Sequence, residues 1–417
     1  MEQVLYSLPD GWKWHKLKDL TTKIGSGATP KGGEKAYKSS GISLIRSLNV
    51  HDCFFKEEKL AFIDDEQANG LKNVVVESGD VLLNITGASI ARCCIVPNEF
   101  LPARVNQHVA IIRPTEYVDS KFLNYLIINP KFKAQLLWLG AGGATRQALT
   151  KVMVEELNIP LPSLPEQKRI VEKLDALLTR IDTAIEHLQQ SVTLADALYA
   201  SELNEVFPSD ADIESLSDKA GWVSLSDICT FENGDRGKNY PSKSAFVAEG
   251  IPVVSAGNLG ERYIDHKGLN YITPERYDLL RSGRIKIGDI LFCLRGSLGK
   301  VAISKDLDEG VIASSLVIIR PKACVSAEYI YKYLKSSLCQ QFISFYNNGA
   351  AQPNLSAKSL GKFMLPLPNA DEQKIIIDGL DEKYQHNQKL LDALRGKIDS
   401  LKILKASILD SAFKGEL

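Results

Sequence analysis

Residues 159–168 read Ile-Pro-Leu-Pro-Ser-Leu-Pro-Glu-Gln-Lys, and residues 365–374 read Leu-Pro-Leu-Pro-Asn-Ala-Asp-Glu-Gln-Lys. Each stretch begins with spaced prolines, which favour extended backbone over helix. Each then places a proline or an acid where an apolar helical pattern starts, as in the first turn of a helix. The same exit into a helix therefore occurs twice, which predicts an internally duplicated chain.

Other short runs return in the same order in both halves. They are Leu17-Lys18-Asp19-Leu20 with Leu225-Ser226-Asp227-Ile228, Gly79-Asp80-Val81-Leu82 with Gly288-Asp289-Ile290-Leu291, and Ile111-Ile112-Arg113-Pro114 with Ile318-Ile319-Arg320-Pro321. The short apolar runs between them, rich in β-branched residues, are typical of strands. We therefore predict two α/β domains, at 1–164 and 221–369, each with a helical stretch, at about 120–139 and 327–346.

Two long helices are predicted after the Glu-Gln-Lys runs, at 165–207 and 370–417. Apolar residues recur there at a spacing near 3.5, the period of a coiled-coil seam. The predicted seam consists of Leu174, Leu178, Ile181, Ile185, Leu188, Val192 and Leu198 in the first helix and Leu380, Tyr384, Leu391, Leu394, Ile398, Leu401 and Leu404 in the second. Neither helix can bury such a stripe alone, so we expect them to pack on each other. Residues 208–220 form a polar linker.

The composition is that of an ordinary globular protein. Of 417 residues, 44% are hydrophobic and 24% charged, which excludes disordered, collagen-like and disulfide-dense classes. No apolar run approaches the roughly 18 residues of a membrane span, and no signal peptide is evident, so we expect a cytoplasmic protein without a membrane partner. Seven cysteines without a C-x-x-C pair and six scattered histidines predict free thiols and no metal site.

Net charge is −1 for the chain, but it is unevenly distributed. The predicted domains hold more Lys and Arg than Asp and Glu, at 19 against 17 in residues 1–164 and 18 against 13 in residues 221–369. The first long helix with its linker holds 5 basic and 12 acidic residues, and the second helix 8 and 9. This division gives weak support for an anionic partner of the domains.

Four runs resemble catalytic motifs, and each has a simpler explanation. Asn129-Pro130-Lys131-Phe132 is like the loop of adenine methyltransferases that holds the target amino group, but it lacks the second proline and interrupts a helical pattern. Gly140-Ala141-Gly142-Gly143 follows a helix, whereas a dinucleotide loop follows a strand, and Gly296-Ser297-Leu298-Gly299-Lys300 lacks the first glycine of a P-loop. The acids Asp52, Glu57 and Glu58 match only a loose nuclease pattern. We therefore predict no catalytic site.

The remaining polar loops form a candidate binding surface, with ordinary surface polarity as the alternative. The turns at 86–92 and 295–300 offer small residues, hydroxyls and cations, which suits contact with phosphate. Positions 46 and 49 align with 255 and 258, and Arg or Asn at such positions can select guanine or adenine. The candidate DNA-binding residues are Ser26, Thr29, Lys31, Arg46, Asn49, Thr86, Ser89, Arg92, Arg146 and Gln147 in the first half, and Arg236, Lys238, Ser255, Asn258, Arg295, Ser297, Lys300, Gln352 and Asn354 in the second.

In order and spacing these motifs resemble the specificity subunit of a type I restriction-modification system. The resemblance rests on the duplicated Gly-Asp strand, the Leu-Pro-Leu-Pro exit, the Glu-Gln-Lys helix start and the ending Ile408-Leu409-Asp410-Ser411-Ala412-Phe413-Lys414-Gly415-Glu416-Leu417. It implies two target-recognition domains separated by two antiparallel helices, with each domain reading one half of an interrupted double-stranded DNA site.

The resemblance also implies the partners. It implies two modification subunits, which bind S-adenosylmethionine and methylate adenine, and restriction subunits that use ATP and Mg, while this chain binds no cofactor itself. A helix pair of fixed length then leads to the hypothesis that it sets the unread gap between the half-sites.

Two other functions stay open from the sequence. A self-sufficient enzyme would need a cofactor loop and catalytic residues that the sequence does not display. A coiled-coil scaffold with two protein-binding modules and no DNA role is compatible with the modest charge of the domains.

Overall fold

The structure is a computed structural model that describes residues 7–142, 147–209, 213–237, 239–347 and 354–417. The chain forms two compact units. Unit 1 comprises Met1–Gln189 with Gly396–Leu417, and unit 2 comprises Gln190–Arg395. Each unit contains one predicted recognition domain together with a part of each long helix.

Unit 1 contains the first set of strands and helices. Its strands are β1 Lys13–Lys16, β2 Thr21–Ser26, β3 Ile42–Ile45, β4 Val50–His51, β5 Phe54–Phe55, β6 Ala61–Ile63, β7 Val75–Val76, β8 Val81–Asn84, β9 Cys93–Ile95, β10 Ala103–Val105, β11 Val109–Pro114 and β12 Asn158–Leu161. Its helices are α1 Asp65–Asn69, α2 Ser120–Ile128, α3 Pro130–Ala141, α4 Lys151–Glu155 and the first part of α5 Leu164–Val206.

Unit 2 repeats this order with fewer elements. Its strands are β13 Trp222–Ser224, β14 Cys229–Asn233, β15 Ile251–Val254, β16 Asn270–Ile272, β17 Ile290–Cys293, β18 Val301–Ile303, β19 Val311–Ile312, β20 Leu316–Pro321 and β21 Met364–Pro366. Its helices are α6 Leu225–Ile228, α7 Pro274–Asp278, α8 Ala327–Leu334, α9 Ser337–Tyr346, α10 Ala357–Gly361 and the first part of α11 Ala370–Ala412.

The sheets of the two units have the same strand order. In unit 1 a four-stranded antiparallel sheet runs β2-β11-β8-β9, and in unit 2 its counterpart runs β14-β20-β17-β18. We call each of these the main sheet. A second sheet, β6-β3-β10-β7 in unit 1 and β16-β15-β19 in unit 2, lies beside it, and a two-stranded pair, β1-β12 or β13-β21, precedes the long helix. The predicted duplication is confirmed.

Alternation along the central strands places the main sheet between two apolar layers. Val81 and Leu83 of β8 join the cluster formed with the helices, whereas Leu82 joins the cluster formed with the second sheet. In β17, Ile290 and Leu291 divide in the same way. Because side chains alternate in a strand, a continuous apolar run buried on both faces is the expected sequence for this position.

The repeated Gly-Asp and Ile-Arg-Pro runs form one ion pair across the main sheet. Arg113 donates from Nε and Nη2 to the two carboxylate oxygens of Asp80, at 2.8 and 2.9 Å. Arg320 makes the same two bonds to Asp289, both at 2.7 Å. Asp80 and Asp289 are almost fully buried, so these motifs are explained by the fold rather than by contact with a ligand.

The glutamine of each Glu-Gln-Lys run joins the long helix to its domain. Gln167 accepts the backbone N–H of Asp119 at 2.8 Å and donates to the carbonyls of Tyr117 and Pro162, both at 3.0 Å. Its counterpart Gln373 makes three matching bonds in unit 2, to the N–H of residue 326 and the carbonyls of residues 324 and 368. Both glutamines are buried, which explains why the motif occurs in both copies.

An aspartate about two turns further along each long helix holds the domain's own helix. Asp175 accepts from the Tyr125 hydroxyl at 2.6 Å and from Lys121 at 2.8 Å. Burial, together with this bond, raises the pKa of Tyr125. In unit 2, Asp381 accepts from Arg262 at 2.8 Å and from the buried Lys332.

These two cations outweigh the effect of burial on Asp381. Burial alone would raise the pKa of this carboxyl, but the hydrogen bonds from Arg262 and Lys332 hold it below its ordinary value. The helix–domain junction of unit 2 therefore depends on an ionised Asp381.

The long helices run antiparallel within each unit. In unit 1, α5 residues 169 and 182 contact residues 417 and 405, through a bond from Arg169 to the Leu417 carbonyl and an ion pair of Asp182 with Lys405 at 2.6 Å. In unit 2, Tyr199 of α5 packs against Tyr384 of α11 with the rings tilted and their centroids 5.1 Å apart. The predicted fold class, two α/β domains with two long antiparallel helices, is confirmed.

The prediction that Leu198 and Leu404 belong to the seam is wrong. Leu198 is 57% exposed and Leu404 is 47% exposed, although both follow the 3.5-residue pattern. In α5 the inward side is taken instead by Ala195, Tyr199 and Leu203, spaced by four, because the helix turns at 3.6 rather than 3.5 residues. The other predicted seam residues are buried or half-buried: Leu174, Leu178, Ile181, Ile185, Leu188, Val192, Leu380, Tyr384, Leu391, Leu394, Ile398 and Leu401.

Two further predictions need correction. The helical stretches expected at 120–139 and 327–346 are each broken in two, into α2 and α3 and into α8 and α9. Asn129 caps α3 by accepting the N–H groups of Lys131 and Phe132, and a proline follows it, so its interpretation as a helix break is confirmed. The predicted polar linker contains a short 3₁₀ helix, Ile213–Asp218, that buries Leu216.

Candidate nucleic-acid interface

Four loops of unit 1 meet at one edge of the main sheet. Strands β2 and β8 end there and β11 begins there, because antiparallel neighbours place opposite ends at the same edge. The loops are joined by backbone bonds: Gly27 N–H to the Asn106 carbonyl, Ile85 N–H to that of His108, Leu149 N–H to that of Ile85, and Gly87 N–H to that of Gln147, at 2.8–3.1 Å. We call residues 26–31, 86–92, 106–108 and 147–149 loop cluster 1.

A chain of polar side chains crosses loop cluster 1. The Thr29 hydroxyl donates to Oε1 of Gln107 at 2.5 Å, and Nε2 of Gln107 lies 3.1 Å from Nε2 of His108. Nδ1 of His108 lies 2.6 Å from the Thr86 hydroxyl. Two predicted residues, Thr29 and Thr86, are thus connected through two that sequence reasoning missed. The available signal was their position directly before β11, at the edge where the predicted loops end.

A glycine allows each loop to approach its neighbour. A Cβ atom on Gly27 would lie 1.7 Å from the carbonyl oxygen of Val105, and one on Gly234 would lie 2.7 Å from that of Ala313. No other residue fits at such distances without moving the backbone. Gly27 and Gly234 are therefore points of close packing between loops.

Unit 2 builds the same cluster from different side chains. Leu294 N–H donates to the Ser315 carbonyl at 2.9 Å, and Leu355 N–H donates to the Leu294 carbonyl at 3.0 Å. Arg236 donates to the Ser314 carbonyl at 3.1 Å, so the loop after β14 is joined to the turn before β20. We call residues 234–237, 294–300, 313–315 and 354–355 loop cluster 2.

Charged side chains shape loop cluster 2. Asp235 accepts the backbone N–H groups of Arg281 and Gly237, at 2.9 and 2.6 Å, and these bonds hold the pKa of its carboxyl below the usual range. Arg295 is exposed and donates from Nε to Oδ1 of Asn354 at 3.2 Å. Lys300 donates to the Ala256 carbonyl at 2.9 Å. Cations are thus fixed at the rim of a cluster with few acids of its own.

The prediction that positions 46, 49, 255 and 258 select bases is wrong for the two asparagines. Asn49 is 0% exposed and Asn258 is 5% exposed. Each amide oxygen accepts the N–H of the residue three positions before it, and each Nδ2 donates to a backbone carbonyl. These bonds close the 3₁₀ turns Ser47–Asn49 and Ala256–Asn258, which leaves neither amide for a base.

Their predicted neighbours are also engaged within the protein. Arg46, with only 14% of its side chain exposed, donates to Glu34 at 3.0 Å and to the Lys59 carbonyl at 2.7 Å. Ser255 donates to the amide oxygen of Asn258 at 2.8 Å. An arginine held in this way would have to break both bonds to contact DNA. We therefore correct the prediction of base selection at Arg46 and Ser255 as well, and assign both residues a structural role.

The other predicted residues lie at or beside the loop clusters. Ser26, Lys31, Gln147 and Ser297 are exposed, and Ser89 and Arg92 are half-buried. Arg146, Lys238 and Gln352 lie outside the described residues. Their role in DNA contact stays a prediction.

Two of the acids that match the loose nuclease pattern form ion pairs within the protein. Asp52 pairs with Lys133, and Glu58 pairs with Lys56 at 2.9 Å. Gly143 lies outside the described residues. The seven cysteines are free thiols, five of them buried. Among the residues described, no group of three or more His, Cys, Asp or Glu side chains is placed to hold a metal ion, and no helix has an apolar stretch that would cross a bilayer.

Comparison with known proteins identifies relatives for nearly the whole chain. The family model described as the type I restriction modification DNA specificity domain matches twice, at residues 9–194 and 219–398. The type I restriction enzyme EcoKI specificity subunit of Escherichia coli strain K12 is 24% identical over 98% of this chain and 90% of its own length. The putative type I restriction enzyme MjaX specificity subunit of Methanocaldococcus jannaschii is 23% identical over 94% of this chain and 93% of its own.

Two solved structures share the fold. A chain from a study of complex assembly and conformational transition of the type I R-M system superposes with a TM-score of 0.80, at 23% identity, over 99% of this chain and all of its own. The HsdS subunit from Thermoanaerobacter tengcongensis superposes with a TM-score of 0.57, also at 23% identity, over the full length of both chains.

Proposed function

The chain belongs to the type I restriction-modification DNA specificity family, and from this membership we propose that it reads an interrupted, two-part DNA site on behalf of a modification and restriction complex. Loop cluster 1 contacts one half-site and loop cluster 2 the other. The scaffold alternative is disfavoured, because both matched segments belong to a DNA specificity family.

One observation carries this proposal. The same backbone arrangement occurs at the same sheet edge in both units, but the side chains that it presents differ. Loop cluster 1 presents Thr29, Gln107 and Thr86, whereas loop cluster 2 presents Arg236 and Arg295. Bases are distinguished by their patterns of hydrogen-bond donors and acceptors. Two domains that recognise different sequences therefore need the same backbone scaffold with different polar side chains on it.

We propose that catalysis belongs to the partners. The specificity chain positions two modification subunits, which hold S-adenosylmethionine and methylate adenine, and restriction subunits, which use ATP and Mg. Asp52 and Glu58, two of the three acids that resemble a nuclease pattern, are paired with lysines, which supports a non-catalytic role for this chain.

We propose that the outward faces of the long helices dock the modification subunits. Leu194 and Leu198 of α5 are 69% and 57% exposed, and Ile403 and Leu404 of α11 are 71% and 47% exposed. Leu198 and Leu404 occupy equivalent positions of the two copies, so each copy presents an apolar residue to a partner. Adjacent exposed apolar side chains on a helix are typical of interaction sites.

The proposal is tested with the assembled complex. The chain is co-expressed with its modification subunit, and N6-methyladenine is mapped across the genome of the host. We expect one interrupted motif that disappears when this chain is omitted. Binding of the purified complex to a duplex with that motif is expected to weaken steeply as salt increases, because phosphate contacts release counterions.

Two results would contradict the proposal. The first is methylation by the modification subunit at the same sites without this chain, with its expression shown to be unchanged. The second is equal binding of duplexes with and without the motif at 0.15 M salt, because a specific complex binds its site at least about a thousandfold more tightly than other DNA.

A further inference from the structure

Residues 86 and 295 occupy equivalent positions in the two units. The residue before each, Ile85 or Leu294, donates its N–H to the residue directly before β11 or β20. Its carbonyl accepts the N–H of residue 149 or 355. Residues 86 and 295 themselves form isolated antiparallel bridges, Thr86 to Ala148 and Arg295 to Asn354. The backbone is therefore fixed in the same way at both positions, and only the side chain differs.

Each of these side chains is held by a neighbouring loop. The Thr86 hydroxyl lies 2.6 Å from Nδ1 of His108, the residue directly before β11. Arg295 donates from Nε to Oδ1 of Asn354 at 3.2 Å. In the first case a short hydroxyl is fixed, and in the second a long planar cation.

We propose that this shared position sets base choice in the two domains, and that Arg295, oriented by Asn354, reads a guanine in the half-site contacted by loop cluster 2. The inference rests on the proposed function and adds the base and the residue. Asn354 is a positioning residue, whereas Arg295 touches the DNA.

The geometry of Arg295 favours a base over a phosphate. With Nε bonded to Asn354, both terminal nitrogens of the exposed guanidinium have no bond to another described residue. They carry parallel N–H donors, which match the paired N7 and O6 acceptors of guanine in the major groove. The backbone bridge and the Asn354 bond fix the plane of the group before DNA arrives, so less conformational freedom is lost on binding.

Thr86 cannot make the same contact. Its hydroxyl is short and offers one donor at most, so a two-point contact with guanine is excluded in loop cluster 1. The base facing this position in the first half-site is therefore read by a single bond or by contact with its methyl group. The two half-sites are expected to differ at the base pair that faces residue 86 or residue 295.

The experiment compares methylation motifs of complexes that carry Arg295→Ala, Arg295→Lys, Asn354→Ala or no substitution. Lys286→Ala is the matched control, because this exposed lysine precedes β17 at the opposite end from Arg295. Each complex is first shown to be folded by its melting temperature. The readout is the base preference at every position of both half-sites, from methylation rates on duplexes with single base-pair changes.

We expect Arg295→Ala and Arg295→Lys to lose preference for one G·C pair in one half-site, by about 5- to 100-fold, and to leave the other half-site unchanged. Asn354→Ala should reduce the same preference by a smaller factor. Lys286→Ala should keep the full motif. Asn354→Ala retains the arginine, so it tests the same base pair if truncation of Arg295 unfolds the protein.

The result that would overturn the inference is a uniform fall in methylation with an unchanged motif in Arg295→Lys, because that is the behaviour of a phosphate contact. A half-site for loop cluster 2 without any G·C pair would also overturn it. In both cases the two-part motif of the unsubstituted complex remains, so the proposed function stands. Failure of that function would instead appear as the absence of any two-part motif in the unsubstituted complex.

Discussion

Replacement of Gln167 by alanine should destabilise unit 1 through the loss of the three hydrogen bonds that its buried side chain makes. This side chain is 0% exposed and joins the start of α5 to the segment that leads into α2. Truncation leaves the N–H of Asp119 and the carbonyls of Tyr117 and Pro162 without partners.

The expected loss follows from the number of orphaned groups. A buried donor or acceptor left without a partner costs about 1–3 kcal/mol. With the lower value for each of the three groups, Gln167→Ala should reduce the free energy of unfolding by about 3 kcal/mol, or roughly a hundredfold in the folding equilibrium. Gln167→Glu keeps the volume but replaces both donated bonds with an oxygen facing two carbonyls, so it should be at least as damaging.

The assay is equilibrium urea unfolding of the full chain, followed by circular dichroism, with hydrogen exchange measured over residues 117–122. Lys168→Ala is the control, since this neighbour is exposed and should change stability by less than about 0.5 kcal/mol. Gln373→Ala tests the counterpart in unit 2, with the same expected loss. Equal unfolding midpoints for Gln167→Ala and Lys168→Ala would refute the role assigned to the motif.

Three other changes test separate parts of the account. Asp80→Asn breaks the buried ion pair of the main sheet and should cost about 3 kcal/mol in urea unfolding, whereas a loss no larger than that of an exposed aspartate would contradict this. Because the pKa of Asp381 is lower in the folded than in the unfolded chain, its contribution should be fully present well above pH 4 and be lost as the pH falls through the folded-state pKa. Asp381→Asn should therefore destabilise the chain most at pH 7 and progressively less as the pH falls below 4, and a loss that does not change with pH would oppose this. Leu198→Glu or Leu404→Glu should leave the unfolding midpoint unchanged and weaken binding of the modification subunit, measured by analytical ultracentrifugation. Unchanged binding by both variants would contradict the proposal that these helix faces dock the modification subunits.

Much of the fold was predictable from repetition. Runs such as the Gly-Asp strand and the Glu-Gln-Lys start could be located without a structure, because they occur twice in the same order. Their roles could not be assigned, since the partners of Asp80 and Gln167 lie 33 and 50 residues away and only folding brings them together. The exposure of Leu198 could not be predicted either, because a 3.5-residue pattern drifts from the 3.6-residue turn of the helix.

The candidate loops were predicted in location more than in detail. Thr86 and Arg295 lie in exposed turns, as predicted, but residue type alone could not separate them from Asn49, whose amide is fully hydrogen-bonded within a turn. Gln107 and His108 belong to no motif and were found only from their bonds. Whether a polar side chain faces solvent or the backbone depends on distances that a sequence does not contain.

The central claim is that this chain specifies where a modification complex acts on DNA. The most direct measurement is the genome-wide map of N6-methyladenine in cells that express the modification subunit with this chain, compared with cells that lack it. We expect one interrupted motif to be lost without this chain, and exchange of residues 1–160 for those of a relative to change one half of that motif only. An unchanged map, with the modification subunit shown to be active alongside another specificity chain, would contradict it.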